Sequence, residues 1–297
     1  MLLEDILALL VSGVTMGSIY AMVAVSFNVA YRPTNVFNMA QGELVMLGAM
    51  FAWALMTVQG LPWIVGALGA MLGVAAIGLF EERVAVATLI RRPSHHHGWI
   101  ISTLAFSIIL INVGDHIWGT DPQVVPPTPG ASLDTVQWGS FTFNTQQFVV
   151  LAVAVASIAL VEWIYRHTLP GKAVLAVAED RDAARLQGIS PSRLTMTSFA
   201  LAAAYAALTG VISAPLVFAS TSIGLALLIK GFMALAIGGV GSNWGALAAG
   251  VLLGCVESIS SVSLTPGWRQ VLLLALVLTL LLIRPFGFFG RAGVREV

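Results

Sequence analysis

Long apolar stretches alternate with short polar segments along the whole chain. A helix that crosses a membrane needs about 20 mostly apolar residues, and these stretches have about that length. The pattern therefore predicts an all-α fold, a polytopic transmembrane helical bundle of eight or nine spans. The predicted spans cover about 6–30, 39–58, 62–80, 98–118, 146–166, 195–218, 222–241, 245–264 and 268–284.

The segment 31–58 is the least regular part of this pattern. Its apolar character is interrupted by Pro33, Asn35, Asn38, Gln41 and Glu43. Irregular backbone at membrane depth persists only where protein or a water-filled cavity surrounds it, because lipid satisfies no backbone hydrogen bonds. We therefore predict a broken helix or a re-entrant piece in this segment.

Composition agrees with a protein that lies almost entirely in a lipid bilayer. Of the 297 residues, 58% are hydrophobic and 9% are charged, whereas soluble domains carry about 25% charged residues. There is no room for a sizeable soluble domain, so residues 1–297 are predicted to form a single transmembrane domain. The formal net charge of zero does not indicate a nucleic-acid partner, and none is predicted.

No metal site, cofactor or catalytic residue is predicted. Cys255 is the only cysteine, which excludes an internal disulfide and a cysteine-based metal cluster. The run His95–His97 is predicted to lie in a wet cytoplasmic loop, because adjacent residues do not share a helix face. The sequence also lacks a Gly-x-x-x-x-Gly-Lys-Ser/Thr phosphate loop, a Gly-x-Ser-x-Gly elbow and a His-Glu-x-x-His motif.

The lysines and arginines predict an orientation, because these residues concentrate in short cytoplasmic loops. They cluster at 83–92, at 166–193 and in the tail from Arg284 onward, which places these segments in the cytoplasm. The loop at about 119–145 carries Asp121 and Asp134 but no basic residue, so it is predicted to face outward. The N-terminus is then outside and the C-terminus is cytoplasmic.

Two sets of polar residues within the predicted spans are candidates for function. Asn38, Gln41 and Glu43 either hydrogen-bond one another across a kink or line a substrate pathway. We favour pathway lining, because polar groups in a span are costly and commonly functional. Lys230 and Glu257 lie on neighbouring predicted spans, and there we favour a structural ion pair over a substrate contact.

The cytoplasmic loop 167–194 is predicted to contain a short surface helix at about 173–188. It has no proline or glycine between Ala173 and Gln187 and ends at Gly188, a residue typical of helix C-termini. The same helix resembles the "EAA…G" loop of ABC importer permeases, with Asp in place of Glu, in Asp182, Ala183, Ala184 and Gly188. The resemblance implies a coupling helix that docks into a groove on an ATPase subunit. Charged residues such as Glu179, Asp182 and Arg185 would then fix its register on that partner.

Further segments resemble the branched-chain amino acid permease family of the LivH type, and they run in order through nearly the full chain. They are Gly17–Ala21, Asn38–Glu43, Leu228–Lys230, Gly238–Ser242 and Gly245–Ala246. The sequence departs from the family pattern at Gln41, where a histidine is expected, and at Met39, where an aromatic residue is usual. We expect substrate identity to depend on this region.

The resemblance implies the membrane-spanning permease subunit of an ABC importer for small amino acids of the branched-chain type. Its implied partners are an extracytoplasmic solute-binding protein, a second permease subunit that is homologous or identical, and two ATP-binding-cassette ATPase subunits. The implied location is the bacterial inner membrane. ATP hydrolysis would occur on the separate ATPase subunits, so this chain is not predicted to be an enzyme.

Two alternatives stay open. One is an ABC permease for urea or short amides, which close relatives carry. The other belongs to a different class, an ion-coupled secondary transporter in which Glu43 and Glu257 are the coupling carboxylates. The long helical cytoplasmic loop favours the ABC importer, because a secondary transporter gives that loop no role.

Overall fold

A computed structural model describes residues 3–87, 98–138 and 141–290. Most of these residues are helical, because lipid-embedded backbone must satisfy its hydrogen bonds within the segment. Arg91, Arg92 and the run His95–His97 lie outside the described residues, so the predictions that rest on them stay predictions.

The helices follow the apolar stretches of the sequence. They are α1 (Leu3–Tyr31), α2 (Gln41–Ala52), α3 (Trp63–Glu81), α4 (Gly98–Trp118), α5 (Thr145–His167), α6 (Leu169–Glu179), α7 (Arg181–Leu186), α8 (Pro191–Val217), α9 (Ile223–Gly238), α10 (Asn243–Ser260) and α11 (Pro266–Ile283). Helix α2 continues into a π-helical turn at Trp53–Val58, and α3 into one at Glu82–Val86. A hairpin of two three-residue strands, β1 (Val136–Trp138) and β2 (Phe141–Phe143), lies between α4 and α5.

The prediction of an all-α, polytopic helical bundle is confirmed. Within the described residues, seven helices are long and apolar enough to cross a membrane, or eight if the bent pair α9–α10 counts as one span. The predicted count of nine is too high. Helices α9 and α10 were predicted as two separate spans, but they meet at an angle of 119° across the break at 239–242. Gly239 and Gly241 both have positive φ there, which lets the chain turn sharply.

The broken helix or re-entrant piece predicted in 31–58 does not form: Gln41–Val58 is one helix of spanning length, and the irregular backbone is confined to the link between α1 and α2. Residues 32–40 form turns and extended backbone, and α2 then begins at Gln41 and runs through its π-helical turn to Val58. Asn35 adopts a positive φ of 54° in this link. The link is largely buried by the protein, as irregular backbone at membrane depth requires.

The structure divides into two compact units, each built from separate segments of the chain. Unit 1 contains Met1–Asn28, Gly130–Ile158 and Lys230–Val297. Helices α1 and α10 meet in this unit at glycines: a Cβ added to Gly17 would lie within 3.0 Å of the Val251 Cα and the Gly250 carbonyl. Glycine lets the two backbones approach this closely, and packing of small residues holds helices together in lipid.

Unit 2 contains Val29–Pro129 and Ala159–Ile229. Its core is the packing of α2, α3 and α8. Helix α2 lies against α8 where Gly48 meets the Ala207 backbone, and α3 lies against α8 where Gly78 meets Ala203. Most of α2 and α8 is buried within the protein, and Gln41, Glu43, Thr195 and Ser198 are among the buried polar side chains.

Candidate functional site

A buried polar cluster lies in unit 2 where the 32–40 link enters α2. The Asn38 Nδ2 amide donates to Glu81 Oε2 at 3.0 Å and to Gln41 Oε1 at 3.3 Å. The Gln41 Nε2 amide donates to the carbonyl oxygen of Ala202 on α8 at 3.1 Å. None of Asn38, Gln41 and Glu81 is more than 1% exposed. We call these three residues the amide–carboxyl cluster.

Local backbone geometry fixes this cluster. The Asn38 Oδ1 oxygen accepts the backbone N–H of Ala40 at 2.8 Å, two residues on, which is a turn that asparagine forms readily. The backbone N–H of Met39 donates to Thr103 Oγ1 on α4 at 3.2 Å. Asn38 is thus held by its own link and by α4, and its amide group can point only toward Gln41 and Glu81.

Glu43 lies on a different face of α2 from Gln41. Its Oε1 atom accepts a long hydrogen bond of 3.5 Å from Ser107 Oγ on α4. Its Oε2 atom is buried without a hydrogen-bond partner. A Cβ added to Gly224 would collide with this carboxyl group, so the glycine makes room for the acid.

The structure therefore brings together two of the three predicted pathway residues. Asn38 and Gln41 hydrogen-bond each other, and Glu43 lies apart from them. Glu81 was missed, because a charged residue at the end of an apolar stretch was taken as the start of a loop. A longer span would have identified Glu81. The helix continues through the π-helical turn to Val86, so Glu81 lies inside the span Trp63–Val86.

A second polar cluster lies in unit 1. Lys230 Nζ lies 2.5 Å from Glu257 Oε1 and donates to the Tyr20 hydroxyl at 2.9 Å. The Tyr20 hydroxyl in turn donates to Glu257 Oε2 at 2.8 Å. The structural ion pair predicted for Lys230 and Glu257 is confirmed. Tyr20 completes it, and nothing in the sequence pointed to this tyrosine.

The segment predicted as one helix at 173–188 forms two helices, α6 and α7. Asp180 has extended backbone (φ −151°, ψ 113°) and separates them. Its side chain accepts the backbone N–H groups of Asp182 at 2.8 Å and Ala183 at 3.0 Å, which makes it the N-cap of α7. Gly188 follows α7 with φ +80°, so its predicted place at the end of the helix agrees with the geometry.

The predicted coupling residues divide by exposure. Glu179, Asp182, Ala183, Arg185 and Gly188 are exposed, and Arg185 Nη1 pairs with Asp182 at 3.1 Å. Ala184, by contrast, is only 4% exposed and faces the rest of the protein. Sequence reasoning overlooked Leu186, whose side chain is 89% exposed although it is apolar.

Helix α7 is joined to α8 through Arg181. The Arg181 Nη2 group donates to Thr195 Oγ1 at 3.2 Å, and Thr195 is buried. Burial lowers the pKa of Arg181, and the positive charge of Arg185 lowers it further, whereas the Asp182 carboxylate raises it. Within 3–87, 98–138 and 141–290 no group of three or more histidine, cysteine, aspartate or glutamate side chains is placed to hold a metal ion.

These features define a multi-pass integral membrane protein whose spans enclose buried polar groups, the class to which transport permeases belong. A family model described as "Branched-chain amino acid transport system / permease component" matches residues 9–282, so the chain belongs to this family. It is 31% identical to the high-affinity branched-chain amino acid transport system permease protein LivH of Salmonella typhimurium, over 96% of each chain.

Two further relatives have related names. The high-affinity branched-chain amino acid transport system permease protein BraD of Pseudomonas aeruginosa is 29% identical over 97% of each chain. The permease protein LivM of Salmonella typhimurium, also named for high-affinity branched-chain amino acid transport, is 26% identical. That match covers 80% of this chain and 60% of LivM. These relatives are transport permeases and not enzymes.

Proposed function

We propose that this chain is the membrane-spanning permease subunit of an ABC importer for small amino acids of the branched-chain type. The proposal rests on the family match over residues 9–282 and on the relatives, which are named as branched-chain amino acid transport permeases. A solute-binding protein delivers the cargo at the outer face of the bacterial inner membrane. Two ATPase subunits and a second permease complete the importer, and the similarity to LivM supports a partner related to this chain.

Asn38, Gln41 and Glu43 are proposed to line or gate the substrate route. Polar side chains in a span are costly unless they have a use; Gln41 and Glu43 lie in a span-length helix, and all three side chains are buried. Asn38 and Gln41 also have a structural role, because their side chains hydrogen-bond each other. A gate needs such contacts, because they hold the closed state until the helices separate.

The α6–α7 segment is proposed to dock on an ATPase subunit. Its exposed residues Glu179, Asp182, Ala183, Arg185 and Gly188 are available to a partner. We add Leu186, because an isolated, fully exposed leucine on a short helix is suited to filling an apolar pocket. Ala184 has a different role in this proposal: it is buried and anchors α7 to the permease.

Contacts within unit 2 offer a route from the docking segment to the buried cluster. Arg181 links α7 to Thr195 on α8. Ala202 lies seven residues further along α8, about 10 Å at 1.5 Å per residue, and accepts the Gln41 amide. We propose that α8 moves as one piece, so that displacement of α7 pulls on the contact between Gln41 and Ala202. The variants described below test this coupling.

The proposed orientation has the N-terminus outside and the C-terminus in the cytoplasm. Termini on opposite sides require an odd number of crossings. Seven spans satisfy this if the α9–α10 pair enters and leaves on one side as a re-entrant piece. The basic residues near α6 and α7 then face the cytoplasm, where an ATPase can reach them.

One contact disfavours the secondary transporter. That mechanism assigns Glu257 an ion-coupling role, yet Lys230 already pairs with this carboxylate. A carboxylate with a fixed protein cation is a poor carrier for a transported ion, because the cation must first be displaced.

The test is to purify the tagged protein in mild detergent and to measure leucine uptake by cells that carry the complete importer. We expect two ATPase subunits to co-purify and uptake to depend on ATP. Leu186→Glu should reduce ATPase recovery while Val124→Glu, at an exposed position in the loop between α4 and α5, does not. Reproducible absence of ATPases would favour the secondary transporter, and uptake of urea without leucine would favour the amide permease.

The route through α8 has its own test. Arg181→Met and Thr195→Val should lower uptake more than they lower ATP hydrolysis by the purified complex, and Arg181→Lys should recover part of the loss. Equal loss of both activities would show that Arg181 merely supports the fold.

A further inference from the structure

The buried or part-buried carboxyl groups differ in whether a protein cation lies beside them. Lys230 pairs with Glu257, and Arg32 and Arg166 pair with Glu162. Glu43 and Glu81, by contrast, form no ion pair with any described residue. Each has one buried carboxyl oxygen without a hydrogen-bond partner, Oε2 in Glu43 and Oε1 in Glu81.

A buried carboxylate without a cation is unfavourable, because burial removes its hydration and nothing replaces the lost charge interaction. One amide hydrogen bond from Asn38 offsets only part of this cost for Glu81. Ionisable residues in a span that lack a structural partner are functional candidates by default.

Contacts to α4 locate Glu43 and the link beside the amide–carboxyl cluster. Thr103 on α4 accepts the Met39 N–H, and Ser107, four residues or about 6 Å further along the helix, contacts Glu43. Both α4 residues are buried. Glu81 is held from the same link through its hydrogen bond with Asn38.

We propose that Glu81, oriented by Asn38, forms the site that receives the ammonium group of the transported amino acid, with Glu43 as a second acceptor in the same unit. This inference rests on the proposed function, because the cargo must carry an ammonium group. Both carboxyls are closed off from solvent in this structure, so the ammonium reaches them when transport opens the spans.

The geometry suits an ammonium group. An ammonium has three donors and no acceptor, so it needs oxygen acceptors that no protein donor has taken. Asn38 binds Glu81 Oε2, which fixes the carboxyl plane and leaves Oε1 available. A cargo without a cationic group would gain only hydrogen bonds from these acceptors, whereas an ammonium group also neutralises the buried charge.

The experiment compares initial leucine uptake in cells that carry the complete importer and lack other leucine importers. Glu81→Gln keeps the size of the side chain and an oxygen acceptor for Asn38 but removes the charge. At equal amounts in the membrane, we expect uptake at low leucine concentration to fall by at least about tenfold. Glu81→Asp keeps the charge and should retain more uptake than Glu81→Gln.

Asp121→Asn is the matched control, because it makes the same carboxylate-to-amide change at an exposed residue and should transport leucine like the wild type. The amount of ATPase that co-purifies with Glu81→Gln should match the wild type, since a folding defect would lower this recovery together with uptake. Uptake by Glu81→Gln above half the wild-type rate would overturn the proposal and indicate that a proton occupies the site. Equal losses in Glu81→Gln and Glu81→Asp would also overturn it.

Failure of the proposed function gives a different result. If the wild-type importer carries no leucine, the family-based proposal fails before any variant is compared. If it carries urea or another uncharged amide, the importer stands but the ammonium site does not.

Discussion

The ion pair between Lys230 and Glu257 gives a quantitative test of how polar groups hold the helices of unit 1 together. The two side chains are 20% and 21% exposed, so they are largely removed from solvent. Glu257→Gln leaves the Lys230 ammonium without a carboxylate, and Lys230→Met leaves Glu257 without a cation. Removing one partner of a buried pair costs about 3–5 kcal/mol, and we expect about 3 kcal/mol here because a fifth of each side chain is exposed.

The double variant Lys230→Met/Glu257→Gln should recover most of this loss. It removes both charges, so no uncompensated charge remains, and replacing a buried pair by uncharged groups of similar size is often nearly neutral. We expect the double variant to lie within about 1 kcal/mol of the wild type. Tyr20→Phe removes one hydroxyl from the same cluster without changing its charge and should cost about 1 kcal/mol.

Thermal unfolding of the purified protein in detergent measures these differences. At about 2 °C per kcal/mol for a chain of this size, each single charge variant should unfold about 6 °C below the wild type. The double variant should unfold within about 2 °C of the wild type. If the two single losses instead add in the double variant, Lys230 and Glu257 do not interact in solution and the assignment is wrong.

Three further predictions concern backbone geometry. Gly17→Ala should lower stability by about 2 kcal/mol in the same thermal assay, because the new methyl collides with α10, whereas Gly73→Ala meets only the Phe51 ring at 3.5 Å and should be tolerated. Asp180→Ala should cost about 1 kcal/mol locally and should speed amide hydrogen exchange in α7, with α6 unchanged. Gly188→Ala should strain the positive φ by about 1 kcal/mol and lower uptake, and unchanged uptake would remove Gly188 from the coupling proposal.

The sequence predicted the spans well because the bilayer enforces a simple rule on length and polarity. It predicted the α9–α10 bend poorly, because both helices are apolar enough to resemble separate spans. The glycines at 239 and 241 were visible, but their positive φ values were not. The break at Asp180 was missed for a related reason. A window free of proline and glycine favours one helix, whereas an aspartate side chain can cap a new helix and end the old one.

The candidate site shows where prediction from sequence stops. Asn38 and Gln41 could be singled out because polar residues are rare in spans, but their partners come from distant parts of the chain. Gln41 bonds the Ala202 carbonyl, a backbone atom that no side-chain pattern can indicate. Glu81 was the more serious omission. Its importance depends on the helix continuing past it and on the absence of an ion pair between Glu81 and any described residue. An unpaired charge is a property of three-dimensional surroundings, so the residue that we propose meets the cargo was recognisable only after folding.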